Sequence, residues 1–350
     1  YADIRADLAL PREDLLPLSG QDAVGRRFAV HPGMPGLQAL YDSGQAALLA
    51  GVGTLLEPMD PAALAEERLR TPLGLFSHSD QIQQWQTVVS DERIARGWGG
   101  RIADLLEGGS PANGISMNIS VSGNNVFQSG ALTTPYAISS SGNGAPALNG
   151  YDDPGERGAF TRAAIDSLLA DAQANLFRRE YAGRLAASID AQVVFVDALT
   201  SAGELPTDFS NAPFSAALRQ VARVINARET LGATRQTFFI TVGGWDHHDD
   251  VLDNQAAMLP GIDTGLAEFQ NAMNALGLAD RVTTFTTSDF GRTLTSNGKG
   301  SDHGWGGHDR DMDREVATVH AVGERVGEEM DLMLDPACEY ETFADALRVG

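Results

Sequence analysis

Side chains that can bind a metal ion are concentrated in one stretch of this chain, between Gln236 and His308. Asp246 and His248 follow one apolar, β-branched run, and Asp289 follows another. Carboxylate and imidazole groups together suit Zn²⁺, Mn²⁺ or Fe, whereas a site dominated by carboxylates suits Ca²⁺ or Mg²⁺. A pair of divalent ions can stabilise a phosphoryl-type displacement. We therefore predict a site for one or two divalent metal ions in this stretch.

Two predicted strands position these residues at one edge of a sheet. Residues 237–243 and 282–287 are apolar and β-branched, and residues 262–277 between them have a helical pattern. A strand, a helix and a strand in this order form a right-handed crossover, so the two strands run parallel and end at the same edge. Ligands bind outside the carboxyl ends of such strands. We therefore expect Asp246 and Asp289 to be neighbours in the folded chain.

A third loop adds two more histidines, His303 and His308, among glycines that allow close approach of the backbone. The spacing lets either histidine, or both, reach the same metal centre. Because Asp246 and His248 are two positions apart, they point to the same side of an extended turn, and His247 points away. The predicted metal ligands are Asp246, His248, Asp289, His303 and His308.

Arg292 and His78 have two interpretations each. The guanidinium of Arg292 can grip an anionic substrate oxygen in bidentate fashion, or it can form an ion pair with Asp289. His78 can lie at the rim of the site, or Ser77 and Asp80 beside it can simply cap the start of a helix. Both residues are candidate catalytic groups.

The remaining segments alternate between helical and strand-like patterns, as is typical of an α/β protein. A Ser- and Gly-rich excursion over residues 130–155 interrupts this alternation. A helix follows Asp80, with Ile82 and Trp85 on one face. The other predicted helices cover residues 36–43, 57–72, 92–108, 157–200 and 214–231, and the other predicted strands cover residues 46–53 and 115–122.

Composition and charge argue against several classes of function. Lys+Arg of 25 against Asp+Glu of 47 gives a net charge of −22, which disfavours a nucleic-acid or anionic-membrane partner. No apolar run approaches about 18 residues, so no membrane span is predicted. The single cysteine, Cys338, excludes an internal disulfide and a Cys-rich zinc site. The sequence has neither a G-x-S-x-G elbow nor a phosphate-binding P-loop. We interpret His31 as structural and His320 as solvated.

Four motifs of this chain resemble those of a bacterial family. They read FAVHPGMPGLQALYDSGQAALLAGVG, SHSDQIQQW, VGGWDHH and TTFTTSDFGRTLTSNGKGSDHGWGGH. Residues 1–308 resemble the domain of unknown function 1501 family, a sulfatase-like group of the alkaline phosphatase superfamily. The resemblance implies a single α/β domain over residues 1–350, with a three-layer alkaline-phosphatase-like fold whose central, mostly parallel sheet is flanked by helices. It also implies a periplasmic or secreted protein with a divalent-metal site for small phosphate or sulfate esters.

The resemblance assigns roles to individual residues. Asp246 and His248 resemble the Asp and His that hold one metal ion in the superfamily. Asp289 lies where a Ser/Thr-Asp-His motif supplies ligands of a second ion. His303 or His308 resembles a later histidine that returns to the first ion, and these two compete for one position. The resemblance therefore implies a site with one or two ions.

Other positions extend the family pattern or depart from it. His78 belongs to the Ser-His pattern near the family's site. Phe290, however, stands where many superfamily members have a second histidine. The family's preceding strand, with its Gly-Gly-Asn-Asp turn, would lie upstream of Tyr1, and we interpret the chain as trimmed there. Residues 309–350 form an atypical C-terminal segment.

Three functional hypotheses follow. The first is a secreted, metal-dependent hydrolase of phosphate or sulfate esters, in which Arg292 neutralises charge on a small anionic substrate. The second is a non-catalytic metal- or anion-binding protein of the cell envelope that retains the fold. The third is a structural or partner-binding envelope protein. Fold membership alone does not choose among them, because function resides in the site.

Overall fold

The computed structural model describes residues 2–304 apart from 22–24, 26, 50–51, 58–69, 108–112, 146–147, 149, 152 and 172–174. Contacts group the chain into two compact units, a first unit of Tyr1–Ala95 with Val242–Gly350 and a second unit of Arg96–Thr241. The single domain expected over residues 1–350 stays a prediction. The predictions for His308, His320, Cys338 and segment 309–350 lie outside the described residues.

The described residues form both helices and short strands, which confirms a mixed α/β protein. The helices are α1 (Ala2–Arg5), α2 (Pro35–Asp42), α3 (His78–Thr87), α4 (Trp98–Glu107), α5 (Gly155–Ala170), α6 (Leu176–Ala202), α7 (Pro213–Asn226) and α8 (Val251–Ala275). The strands are β1 (Leu16–Pro17), β2 (Ala29–Val30), β3 (Asn118–Ser120), β4 (Tyr136–Ala137) and β5 (Thr237–Phe239).

The second unit contains a small parallel sheet with the strand order β4-β3-β5. Ile119 of β3 is in register with Tyr136 of β4 on one side and with Phe238 of β5 on the other. β3 forms the middle of the strand predicted over residues 115–122, and every residue of it is buried. A strand covered on both faces loses the alternation of buried and exposed positions that a half-exposed strand shows.

Helices α6 and α7 pack in one apolar cluster with this sheet. Phe195 of α6 is fully buried, and its ring lies 5.4 Å from the ring of Tyr136. Val224 of α7 belongs to the same cluster as Ile119. Complete burial of one such side chain contributes about 1.5–3 kcal/mol. The helical patterns that the sequence shows over residues 157–200 and 214–231 therefore reflect real helices, α5 to α7, and apolar residues of α6 and α7 contribute to the core of this unit.

Among the described residues, α6 is long and apolar enough to cross a membrane by length and composition alone. A core helix of a soluble protein passes the same test. The buried residues of α6 lie in its C-terminal half, from Ala191 to Leu199. The expectation that the chain has no membrane span stays a prediction.

In the first unit α2 packs against α8. Pro35 occupies the first turn of α2, where its missing N–H is not needed. The buried carboxylate of Asp263 in α8 accepts the N–H groups of Gly36 (2.8 Å) and Leu37 (2.7 Å). This contact satisfies two free amides and places a negative charge at the positive end of the helix. The helix predicted over residues 36–43 is confirmed.

Two strands predicted for the first unit are absent from its described residues. Residues 46–49 and 52–53 form no strand, and Leu48 and Leu49 are exposed. Residues 282–287 form no strand either, so their predicted parallel pairing with β5 is wrong, and β5 pairs with β3 instead. A β-branched run expresses only a local preference, and a strand also needs a neighbour that completes its ladder of hydrogen bonds.

Three predicted helices differ in extent from the observed ones or are not described. The helix predicted over residues 92–108 begins only at Trp98. The helix predicted over residues 262–277 begins earlier, at Val251. Most of the helix predicted over residues 57–72 lies outside the described residues. Apolar spacing marks the buried face of a helix and leaves its polar ends poorly defined.

Candidate metal centre

Four side chains of the first unit converge on one point. The Oδ1 atom of Asp246 lies 3.3 Å from His78 Nε2. The same oxygen is 3.0 Å from His248 Nε2 and 3.1 Å from His303 Nε2. His303 Nε2 is in turn 3.2 Å from His78 Nε2 and 3.0 Å from His248 Nε2. The four residues His78, Asp246, His248 and His303 are called the donor set below.

Separate parts of the chain bring the donor set together. His78 is the first residue of α3. Asp246 and His248 share a tight turn, in which His248 N–H donates to the Asp246 carbonyl (3.1 Å). His303 lies in an antiparallel bridge with Arg292. The start of a helix, a turn and a bridged loop therefore each contribute to the same centre, although 225 positions separate His78 from His303.

The loop before His303 requires a glycine at position 300. A Cβ atom added at this position would lie 2.7 Å from the carbonyl oxygen of His247 and would also meet that of His248. Atoms that close must move apart, so a side chain here would push the two loops away from each other. The close backbone approach predicted for the glycines after His303 is seen at Gly304, where an added Cβ atom would lie 2.6 Å from the carbonyl oxygen of Gly291.

A backbone carbonyl fixes the tautomer of His303. Its Nδ1 atom lies 2.7 Å from the carbonyl oxygen of Phe76. Because a carbonyl oxygen only accepts hydrogen bonds, Nδ1 must carry the proton. The Nε2 atom of neutral His303 therefore presents a lone pair to the other members of the donor set, which is the arrangement of a metal-binding histidine.

Carboxylates occupy the corresponding positions behind the other two histidines. His78 Nδ1 bonds Oδ2 of Asp289. His248 Nδ1 lies 3.3 Å from Oδ1 of Asp302. An ionised carboxylate also only accepts, so each Nδ1 donates and each Nε2 of the neutral ring turns its lone pair inward. Each imidazole of the donor set is thus oriented by an oxygen on its outer side.

The charges of these groups favour an ionised Asp246. Burial would raise the pKa of Asp246, but the hydrogen bond from Arg292 and the nearby imidazoles of His303 and His78 outweigh it and hold that pKa well below its usual range. Burial would lower the pKa of His78. Hydrogen bonds and negative charge from Asp289 and Asp246 outweigh it and raise that pKa instead. The centre is therefore a site of negative charge that favours cations.

Arg292 contacts the donor set through Asp246, and its side chain is 14% exposed. Its Nη1 atom donates to Asp246 Oδ1, and its Nη2 atom donates to the carbonyl oxygen of Ser301. The alternative ion pair considered for Arg292 was with Asp289, whereas the structure shows one with Asp246. Both terminal nitrogens are engaged in this way, so the guanidinium orients Asp246. Its predicted grip on a substrate oxygen stays a prediction.

Phe290 lies in the interior of the centre. Phe290 is buried, and its ring centroid lies 4.5 Å from that of His78 and 4.7 Å from that of His303. Phe290 therefore packs against two imidazoles of the donor set. His247, for which the sequence predicted only that it points away from His248, is buried as well.

The structure gives several predicted site residues more definite positions. Asp289, predicted as a ligand, contacts His78 from the outer side. His78 itself, expected at the rim of the site or beside a helix cap, presents Nε2 to Asp246, and Ser77 makes no side-chain capping bond. Sequence reasoning missed Asp302 and the Phe76 carbonyl. Asp302 directly precedes His303 and so had a visible signal, whereas a backbone carbonyl has none.

The spacing of the donor atoms suits one small divalent ion. The Nε2 and Oδ1 atoms of the donor set lie 3.0–3.3 Å apart in the measured pairs. Tetrahedral Zn²⁺ with ligands at about 2.0–2.1 Å separates its ligand atoms by about 3.3 Å. His78, Asp246 and His303 each offer one ligand atom, and these three atoms all lie within 4.8 Å of one another. His248 is not part of this group, although its Nε2 atom lies close to Asp246 Oδ1 and His303 Nε2. The chain therefore contains a possible metal-binding group of His and Asp residues.

Comparisons with known proteins give one match. The model of the family described as Protein of unknown function (DUF1501) matches residues 12–308, which include the whole donor set. No curated protein and no solved structure matches the chain. The match covers most of the chain and assigns it no activity.

Proposed function

We propose that this chain, which belongs to the family described as Protein of unknown function (DUF1501), is a metal-dependent hydrolase of phosphate or sulfate esters. The observation that supports this proposal most is the convergence of three imidazole Nε2 atoms on the Oδ1 atom of Asp246. A bound cation would stabilise lone pairs and negative charge that lie this close together.

The chemistry of the donor set fits a borderline-soft divalent ion. Three nitrogen donors and one carboxylate oxygen suit Zn²⁺, Mn²⁺ or Fe better than Mg²⁺ or Ca²⁺, which prefer oxygen ligands. Asp289, the expected ligand of a second ion, is engaged with His78 Nδ1. We therefore propose one ion for the described residues, held by His78, Asp246, His248 and His303.

A bound ion supplies Lewis-acid polarisation of an ester oxygen and acidifies water. The residues of the chain hold and orient the groups around it. Asp246 and His248 have half-exposed side chains, so this side of the donor set is open to a small anionic ester. The carboxylate of Asp302 lies 3.3 Å from His248 Nδ1, and its side chain is 64% exposed. The guanidinium of Arg292 forms an ion pair with Asp246 and so balances part of its negative charge.

The proposal includes the setting that the motifs imply. A three-layer alkaline-phosphatase-like fold with a central, mostly parallel sheet, and a periplasmic or secreted location, both rest on the resemblance of the motifs. A net charge of −22 repels a small anionic ester at long range, so the proposal requires the bound ion to attract the ester locally.

Metal analysis and an ester panel test the proposal together. The purified chain is dialysed against chelator, reloaded with Zn²⁺, Mn²⁺ or Fe²⁺, and assayed with nitrophenyl phosphate and nitrophenyl sulfate. We expect one ion per chain, and turnover that disappears with chelator and in Asp246→Ala. A matched control, Asp253→Ala, changes an acid of α8 outside the donor set and should retain turnover. Stoichiometric metal without turnover of either ester would refute the hydrolase.

A second function is favoured by the position of Arg292. Because its terminal nitrogens bond Asp246 and Ser301, this guanidinium does not bind an incoming anion without giving up those contacts. The alternative is a non-catalytic metal-binding protein of the cell envelope. It predicts that Zn²⁺ raises the melting temperature and that no ester is turned over, since binding to the folded state alone stabilises a protein.

A further inference from the structure

We propose that Gln81, in the second turn of α3, is a positioning residue that aligns His78 and His303 for the same ion. This inference rests on the proposed metal centre. It adds a side chain that connects two of the residues that orient the imidazoles of this centre. Gln81 is fully buried. A buried primary amide is retained only where its donors and acceptor are used, so its hydrogen bonds indicate its role.

The amide of Gln81 bonds two loops that orient different histidines. Its Oε1 atom accepts the N–H of Phe76 (2.7 Å), and its Nε2 atom donates to the carbonyl oxygen of Asp289 (3.4 Å). Phe76 orients His303 through its carbonyl oxygen, and Asp289 orients His78 through its carboxylate. One side chain therefore links the outer partners of two imidazoles of the donor set, His303 and His78.

The backbone at Phe76 explains why such a link is needed. Phe76 has φ +71°, in the left-handed region that non-glycine residues seldom adopt. An aromatic residue stays there only when its surroundings impose the conformation. The hydrogen bond from Phe76 N–H to Gln81 helps to impose it, and the same residue directs its carbonyl oxygen at His303 Nδ1. The strained residue is thus part of the metal centre.

An amide is the side chain that suits both contacts. Gln81 must accept from an N–H and donate to a carbonyl oxygen at a second position, and a primary amide does so with two separate atoms, Oε1 and Nε2. The Asp289 carbonyl also accepts from Trp85 Nε1 (3.2 Å), so it keeps a donor when Gln81 is replaced. We therefore expect loss of Gln81 to disturb His303 more than His78.

Two isosteric replacements on the same helix test this inference. Gln81→Met keeps the volume and removes both contacts. Gln84→Met is the matched control, because Gln84 is also buried in α3, but its amide donates to the carbonyl oxygen of Leu73 (2.6 Å). In the metal-free chain, long-range ¹H–¹⁵N spectra report which ring nitrogen of each histidine carries the proton. Co²⁺ titrations then report affinity and, from the visible absorption bands, coordination number.

We expect Gln81→Met to weaken Co²⁺ binding by about 10-fold, the lower end of the loss caused by outer partners of metal ligands, and Gln84→Met by less than about 2-fold. We also expect His303 to lose its pure Nδ1–H tautomer in Gln81→Met and to keep it in Gln84→Met. A Gln81→Glu variant, which still accepts from Phe76, should keep the tautomer of His303 and serves if the Met variant does not fold.

The outcomes separate this inference from the proposed function. If Gln81→Met and Gln84→Met behave alike in tautomer and affinity, Gln81 only packs and the inference is overturned. If the wild-type chain binds no Co²⁺ and yet His303 loses its tautomer only in Gln81→Met, the positioning role stands and the metal centre fails. A Gln81→Glu variant in which the tautomer of His303 is lost would also contradict the inference.

Discussion

Replacing Asp289 by Ala distinguishes an outer partner from a metal ligand. Asp289 Oδ2 bonds His78 Nδ1, while its Oδ1 atom is 3.2 Å from both Ser288 Oγ and Phe290 N. Its side chain is 19% exposed, so water replaces the carboxylate only in part. Loss of such an outer partner lowers metal affinity by about 10–100-fold, or about 1.4–2.8 kcal/mol. We expect Asp289→Ala to fall in this range.

Isothermal titration of the metal-free chain with Zn²⁺ measures this loss against two reference variants. Asp302→Ala removes a carboxylate that lies 3.3 Å from His248 Nδ1 and is largely exposed, so we expect a smaller loss than for Asp289→Ala. Asp246→Ala removes a member of the donor set and should cause the largest loss of the three. Circular dichroism confirms that each variant is folded before titration.

The order of the three losses decides the interpretation. If Asp289→Ala and Asp246→Ala lose Zn²⁺ binding equally, Asp289 is a direct ligand, as the sequence predicted, and the geometry described for it is wrong. If Asp289→Ala leaves the affinity unchanged, its contact with His78 has no role in holding the ion. Either result refutes the reasoning.

Further predictions concern stability. Phe195→Ala should lower the free energy of unfolding by about 3–5 kcal/mol in urea melts, because it leaves a cavity in the core of the second unit; a loss below about 1 kcal/mol would contradict this. Asp263→Ala should cost about 1 kcal/mol in the same melts by removing the cap of α2, and an unchanged midpoint would contradict it. Burial raises the pKa of Asp104, but backbone N–H groups of residues 131–133 outweigh it and lower this pKa to about 2. Its stabilising contribution is therefore present above about pH 4 and is lost as the pH falls toward 2, so Asp104→Asn should destabilise by about 1 kcal/mol at pH 7 and by less near pH 2; an equal effect at both pH values would contradict this.

The chemistry of the site was more visible in the sequence than the sheet expected to carry it. Asp246, His248 and His303 were chosen for their donor types and loop positions, and the structure brings them together. The strand argument that placed Asp289 beside Asp246 failed at residues 282–287, which form no strand. Short loops and the bridge between Arg292 and His303 bring these segments together instead.

The division of roles within the site could not be predicted. Whether Asp289 faces an ion or supports His78 depends on side-chain rotamers and on distances across 211 positions, which spacing does not encode. The Phe76 carbonyl belongs to the backbone and depends on a left-handed conformation that its residue type disfavours. Gln81 is not singled out by any pattern in the sequence, and its complete burial becomes visible only in the structure.

The central claim is that three imidazoles and one carboxylate hold a single divalent ion. Zinc K-edge X-ray absorption of the Zn²⁺-loaded chain tests it directly. We predict one zinc per chain with about three imidazole ligands and a first shell of nitrogen and oxygen at about 2.0–2.1 Å. One imidazole or none in that shell, or a metal–metal distance of about 3.5–4 Å, would contradict it.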